Sequence, residues 1–122
     1  MPRQNLPKRL KRRADFLRLA AQGRKIVKSG FVLQALQGAA PEPVLGFTAT
    51  KKLGNAVIRN RAKRRLREAA RLVLAERPAA GLELVLVARR ETGSMDFCSL
   101  RRNLAKALDE VLPGIAPGKV PE

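Results

Sequence analysis

From Arg59 to Arg71, seven of thirteen residues are cationic: Arg59, Arg61, Lys63, Arg64, Arg65, Arg67 and Arg71. Only Glu68 opposes them. Apolar residues still recur at helical spacing through this run, at Ile58, Ala62, Leu66, Ala69 and Val73. At about 100° per residue they fall within one sector of roughly 80°. The chain must therefore fold so that a helix meets its core along a thin seam and turns everything else outward. Arg59, Lys63, Arg64, Arg67 and Arg71 span the far side, with Asn60 among them, while Arg61 and Arg65 flank the seam's other edge. Like charges three or four residues apart repel, so such a helix is costly alone. A polyanion lying against it turns that cost into affinity.

The whole chain shares this bias. Its 122 residues carry 26 Lys+Arg against 10 Asp+Glu, a formal net charge of +16. Nucleic acid is the partner this implies first, and an anionic membrane second. Arginine outnumbers lysine 17 to 9. Its planar fork suits phosphate and base stacking, which favours nucleic acid. A membrane-surface helix needs large apolar anchors, and this seam is mostly alanine. No apolar run approaches the roughly 20 residues of a membrane span. The basic N-terminus is followed by no apolar segment, so a secretory signal is not expected and the cytoplasm is the default compartment.

Around the basic helix, expected over 57–77, the pattern alternates helix and strand. ADFLRLAAQ, residues 14–22, suits a short helix stopped at Gly23. Strands are expected over 31–36, 44–50 and 82–89, with a short edge piece at 25–28. A last helix is expected from Asp96 to Leu112, capped by Ser94 or Asp96 and stopped by Pro113-Gly114. Residues 1–112 read as one domain, with a flexible basic arm over 1–8 and a disordered tail over 113–122. Alternation divides the sheet into two faces. One collects Phe31, Leu33, Ala35, Leu45, Phe47, Ala49, Leu84, Leu86 and Ala88 and is the core. The other, with Val32, Gln34, Gly46, Thr48, Thr50, Val85, Val87 and Arg89, is mixed and suits a half-open groove.

Catalytic machinery is not visible. Histidine is absent, and the single cysteine, Cys98, reads as a small semi-buried apolar residue. An intrachain disulfide and a His/Cys zinc site are excluded. The acids are scattered, so no metal-holding carboxylate cluster is expected. Lys51 and Lys52 read as phosphate contacts rather than as catalytic lysines.

KKLGNAVIRNRAKRRLREAAR, residues 51–71, closely resembles the signature of the protein subunit of bacterial ribonuclease P. The match rests on Arg59-Asn60-Arg61, the pair Lys63-Arg64, the pair Arg67-Glu68, Lys51-Lys52 and the step from Gly54 to Val57. Asp15-Phe16, Phe31 to Leu33 and Ala88-Arg89 extend it, in order, over roughly residues 9 to 112.

The resemblance implies an α/β (α+β) two-layer sandwich, ribosomal-protein-like. Its central, mostly antiparallel sheet of about four strands carries three helices, with a left-handed βαβ crossover through the basic helix. It also implies that catalysis belongs to an RNA subunit using magnesium, with no cofactor or metal bound by the protein. The holoenzyme removes the 5′ leader of precursor tRNA. Arg59, Asn60, Arg61, Lys63, Arg64, Arg67 and Arg71 are then expected to bind the RNA subunit. Phe16, Lys51, Lys52, Arg89 and Arg90 are expected along the single-stranded leader, with further RNA contacts at Arg9, Arg12 and Arg13. Neither DNA nor membrane is an expected partner. Family members often carry aromatics where this chain has Ala20 and Gln34, so its groove is expected to rely more on charge than on stacking. The alternative is a structural RNA-binding protein, such as a ribosomal protein or RNA chaperone; a self-sufficient nuclease is a third possibility.

Overall fold

The computed structural model describes residues 8–10, 12–38, 43–76 and 81–115. All of the expected arm but Lys8, and the expected tail beyond Ile115, lie outside the described residues. The elements run β1 (Lys8–Arg9), α1 (Arg13–Gln22), β2 (Arg24–Lys28), β3 (Phe31–Gln37), β4 (Val44–Thr48), a 3-10 turn (Lys51–Leu53), α2 (Ala56–Leu74), β5 (Leu82–Ala88) and α3 (Phe97–Ile115).

The strands form one sheet in the order β1-β4-β5-β3-β2. β3 is antiparallel to both β2 and β5, whereas β4 is parallel to β5 and β1. Among the four longer strands the sheet is thus mostly antiparallel, as expected. Two features exceed the sequence reading. The edge piece at 25–28 is a full strand, RKIVK, beginning at Arg24. Lys8, expected in the flexible arm, and Arg9, just beyond it, pair with Val44 and Leu45 as a fifth, two-residue strand.

The β2–β3 hairpin turns at Gly30, whose φ is 99°. A side chain there would also meet Met95 Sδ at 2.7 Å and Leu100 Cδ1 at 2.8 Å. Glycine is therefore required twice over, by conformation and by contact.

α2 and α3 cover one sheet face. Phe31, Leu33, Ala35, Leu45, Leu84, Leu86 and Ala88 supply the sheet side of the core, with Phe47 and Ala49 packed at its margin. From α3 come Leu100, Leu104, Ala107, Leu108 and Val111, spaced as one helical stripe. Asn55 caps α2 by accepting the Ile58 N–H at 3.0 Å, and Asp96 Oδ2 accepts the Ser99 N–H at 3.0 Å at the start of α3. The stop expected at Pro113-Gly114 does not operate, since α3 continues to Ile115. Proline's φ is compatible with helical backbone, so Pro113 removes one backbone bond in the last turns of α3 without ending the helix there. Cys98, expected to be semi-buried, is exposed on α3.

The apolar seam of α2 differs from expectation at its first turn. Ala62, Leu66, Ala69 and Val73 are buried, joined by Ala70, but Ile58 is 45% exposed. α2 begins beyond the end of β4, after the 3-10 turn, so its first turn overhangs the sheet. Ile58 leans instead on Gly54.

α1 crosses the opposite face. Leu19 is fully buried. Arg18 anchors the helix by pairing with Glu83 of β5 at 2.5 Å and Asp15 at 3.2 Å. These two carboxylates raise the Arg18 guanidinium above its ordinary value.

Between β5 and α3, Thr92 is completely buried. Its hydroxyl donates to the Gly30 carbonyl at 2.5 Å and accepts the Arg89 N–H at 2.8 Å. Thr92→Val keeps the shape and leaves both backbone groups unsatisfied. The expected cost is about 1–3 kcal/mol. It is read as a lower urea midpoint with unchanged slope, and Thr92→Ser should retain most of the stability.

Candidate nucleic-acid interface

The Arg-Asn-Arg run cannot act as one unit. Successive residues turn by about 100°, so Arg59 and Arg61 leave α2 on nearly opposite sides with Asn60 between them. The structure gives the two flanks different neighbours.

On one flank, α2 faces β4 and β1. Arg67 lies over the Phe47 ring, with Cζ 5.7 Å from the centroid, a cation–π contact. Arg9 is in register with the core-facing Leu45, which puts it on the α2 side of the sheet. Burial lowers the Arg67 guanidinium from its ordinary value, and the charges of Arg9 and Arg64 push it the same way. The Nε atoms of Arg59 and Arg67 are buried with no hydrogen-bond partner among the described residues. Lys63 is half-buried between them, while Asn60 and Arg64 form an exposed crest. Arg71, farther along, is bidentately paired with Glu68. That pair raises Arg71 and lowers Glu68. Arg71 is thus partly neutralised, unlike Arg64.

On the other flank, α2 faces the segment from Arg89 to Asp96. Arg61 Nε donates to the Gly93 carbonyl at 3.1 Å, although the residue is exposed. Arg65 Nε donates to the Thr92 carbonyl at 3.1 Å, and its Nη2 to the Met95 carbonyl. Its Cζ stands 5.8 Å from the centroid of Phe97. Arg65 is therefore occupied inside the protein, a role its sequence offset from the crest hinted at but did not specify.

The second sheet face holds the other predicted group. Phe16 of α1 lies directly over Gly46 of β4, where a Cβ would come within 2.6 Å of the ring. Glycine lets the aromatic ring approach the sheet backbone. Gln34, Gly46 and Val85 are buried on this face, whereas Val32, Thr48 and Val87 are only half-buried and Val27 is 63% exposed. α1 thus covers half of the face and leaves a shallow trough toward the far end. Gln34 is buried in the covered half and Ala20 is exposed on α1, so neither supplies a ring.

Lys51, Lys52, Arg89 and Arg90 follow the strand ends at that far end. Thr48 pairs with Val87 in parallel register, so β4 and β5 finish side by side. The exposed Lys51 and Lys52 follow one strand and Arg89 and Arg90 the other. Phe16 sits back from this rim, at Gly46, four residues or about 13 Å along the strand from Thr50. Arg89 is partly engaged, its Nε lying 3.7 Å from Glu91 Oε2. Arg12 and Arg13 are exposed at the start of α1, with Arg12 3.6 Å from Asp15. The expected RNA contacts at Arg9, Arg12 and Arg13 therefore divide, Arg9 toward α2 and the other two at α1.

Among the described residues no three His, Cys, Asp or Glu side chains gather as metal ligands. No described helix is long and apolar enough to cross a membrane.

Residues 2–112 match the family model for ribonuclease P. The ribonuclease P protein component of Gluconacetobacter diazotrophicus is 52% identical over 104 residues, covering 81% of this chain and 90% of that protein. That of Paramagnetospirillum magneticum is 45% identical over 108 residues, covering 84% and 81%. Among solved structures, the RNase P protein of Thermotoga maritima superposes with a TM-score of 0.74 at 29% identity, covering 84% of this chain and 96% of that one. The Staphylococcus aureus RNase P protein gives 0.72 at 28% identity, covering 84% and 94%.

The rim carries a pH-sensitive tie. Glu91 accepts the Gly30 N–H at 3.0 Å, and this bond is the first cause holding its carboxyl below the ordinary value. A depressed folded value means the stabilisation is present above the unfolded value and is lost as pH falls through the folded one. In Glu91→Gln the amide still accepts the bond but cannot titrate. Chemical denaturation from about pH 6 down to about pH 3 should therefore find the wild-type advantage over Glu91→Gln shrinking toward zero.

Proposed function

The chain belongs to the bacterial ribonuclease P protein family, and on that premise we propose that it docks on the catalytic RNA through α2 and guides the 5′ leader of precursor tRNA across the half-open sheet face. The protein is a subunit of the ribonuclease P holoenzyme, which cleaves tRNA precursors. The observation that carries the docking reading is the β1-side flank of α2. Arg9, Arg59, Lys63, Arg64 and Arg67 crowd there with no acid in an ion pair among the described residues, and two buried guanidinium nitrogens lack partners. A phosphate backbone supplies the missing acceptors and relieves the repulsion.

Five of the described acids are committed elsewhere, which supports leaving the chemistry to the RNA. Asp15 and Glu83 hold Arg18, Glu110 holds Lys28, Glu68 holds Arg71, and Glu91 holds the Gly30 N–H. Magnesium is accordingly assigned to the RNA subunit. The protein's share is positive charge that screens RNA against RNA, and a path for the leader. The partners in this reading are two RNAs, and neither DNA nor a membrane surface; the place of action is the cytoplasm.

The trough suits a single strand. Its floor is Val32, Thr48 and Val87, its one ring is Phe16, and its rim is Lys51, Lys52, Arg89 and Arg90. Stacking on an aromatic contributes about 1–3 kcal/mol per base. With one ring available, charge carries most of the affinity.

Arg59→Ala and Arg64→Ala should each weaken binding to the RNA subunit by about 1.5–3 kcal/mol and flatten its salt dependence. Neither should lower the melting temperature, because each removes an unpartnered charge. A lowered melting temperature with unchanged RNA affinity would make them structural.

With reconstituted holoenzyme, Lys52→Glu and Arg90→Glu should lose affinity for precursor tRNA and leave affinity for mature tRNA nearly unchanged. Phe16→Ala should act in the same direction more weakly. Equal losses for both tRNAs would move these residues off the leader path.

A further inference from the structure

Arg65 stands in the middle of the most cationic segment of the chain, yet its side chain turns inward. Its fork spans two backbone carbonyls, Thr92 at 3.1 Å and Met95, and its plane rests over Phe97. Arg61, one helical turn earlier, reaches the Gly93 carbonyl from the same flank. α2 therefore grips the segment from Arg89 to Asp96 at three successive points. From the other side the segment is fixed to the β2–β3 turn by Thr92 on the Gly30 carbonyl and by the Gly30 N–H on Glu91. Met95 closes over Gly30. The segment starts with Arg89 and Arg90, the rim residues of the trough.

We propose that Arg65 is a positioning residue for leader recognition: through the Thr92 and Met95 carbonyls it fixes the Arg89–Asp96 segment against α2, so that Arg89 and Arg90 are held at the rim. This rests on the leader path proposed above. Arg65 touches no RNA in this role. Its planar fork matters because two carbonyls separated along a turn are met at once by two nitrogens of one rigid group. A lysine keeps the charge but offers a single point on a flexible stem, and it stacks less well on Phe97. Packed segments with two attachment sides shift as units, so loosening the α2 side displaces the rim although the trough floor is unchanged.

The test uses holoenzyme reconstituted from the full-length protein and its cognate RNA subunit. Four quantities are measured for Arg65→Leu and Arg65→Lys: affinity for the RNA subunit, for precursor tRNA and for mature tRNA, and amide exchange across residues 89–96. Both variants should bind the RNA subunit within about twofold of wild type. The precursor-to-mature affinity ratio should fall roughly fivefold to tenfold, with faster exchange in the segment. Arg90→Ala should add little to the loss already caused by Arg65→Leu. If Arg65→Leu does not fold, Arg65→Lys carries the same comparison.

Full retention of the ratio by Arg65→Lys overturns the proposal, because charge and not the fork would then matter. A loss of RNA-subunit affinity with a flattened salt slope overturns it too, since Arg65 would be a direct phosphate contact. The two readings separate through Arg90→Glu. If that change lowers precursor affinity and the Arg65 variants do not, the positioning role fails and the leader path stands. If Arg90→Glu has no effect on precursor binding, the leader path falls and takes this role with it.

Discussion

The parallel register of β4 against β5 is the constraint from which the other features follow. Two adjacent parallel strands need a crossover, and the chain between them is largely the basic helix. α2 must therefore lie across one face of the sheet and bury a seam there. The same register brings both strand ends to one edge, so Lys52 and Arg90, distant in sequence, follow neighbouring strand ends. The cationic helix and the cationic rim are thus products of a single pairing. Alanine at 62, 69 and 70 keeps the seam thin enough for long arginines on both flanks to remain at the surface.

Most of the architecture was legible because its signals are periodic. Alternation in FVLQAL and LELVLVAR separated the faces, and burial follows that division except at Gln34 and Val85, which lie on the second face and are buried as well. Illegible features were those set by tertiary neighbours. Two residues, Lys8 and Arg9, carry too little pattern to announce a strand and become one only because β4 offers an edge. Ile58 has the right angle for the seam but overhangs it, since helical phase says nothing about where a sheet ends.

The candidate site was legible by charge and not by partner. Counting cations located the helix, and a signature of exact residues located the family. Neither distinguishes a guanidinium that faces solvent from one that holds a loop. Arg64, Arg65 and Arg71 are equivalent in composition. In the structure one is a free crest, one clasps two carbonyls over a phenyl ring, and one is tied to Glu68. Arg61 was grouped with Arg59 by the family signature, although helical angle already set them on different sides of α2, and the structure gives them different neighbours.

The two edges of the sheet have a bearing on self-association. β2, on one side, reads RKIVK, and β1, on the other, reads KR. An edge strand exposes unpaired backbone groups that invite a second chain to extend the sheet. Here any two copies approaching edge to edge bring lysine and arginine against lysine and arginine. Val27 at 63% exposure would otherwise make β2 an adhesive edge. Positive charge on both edges therefore disfavours strand-to-strand pairing between copies, a consequence separate from any attraction to a polyanion.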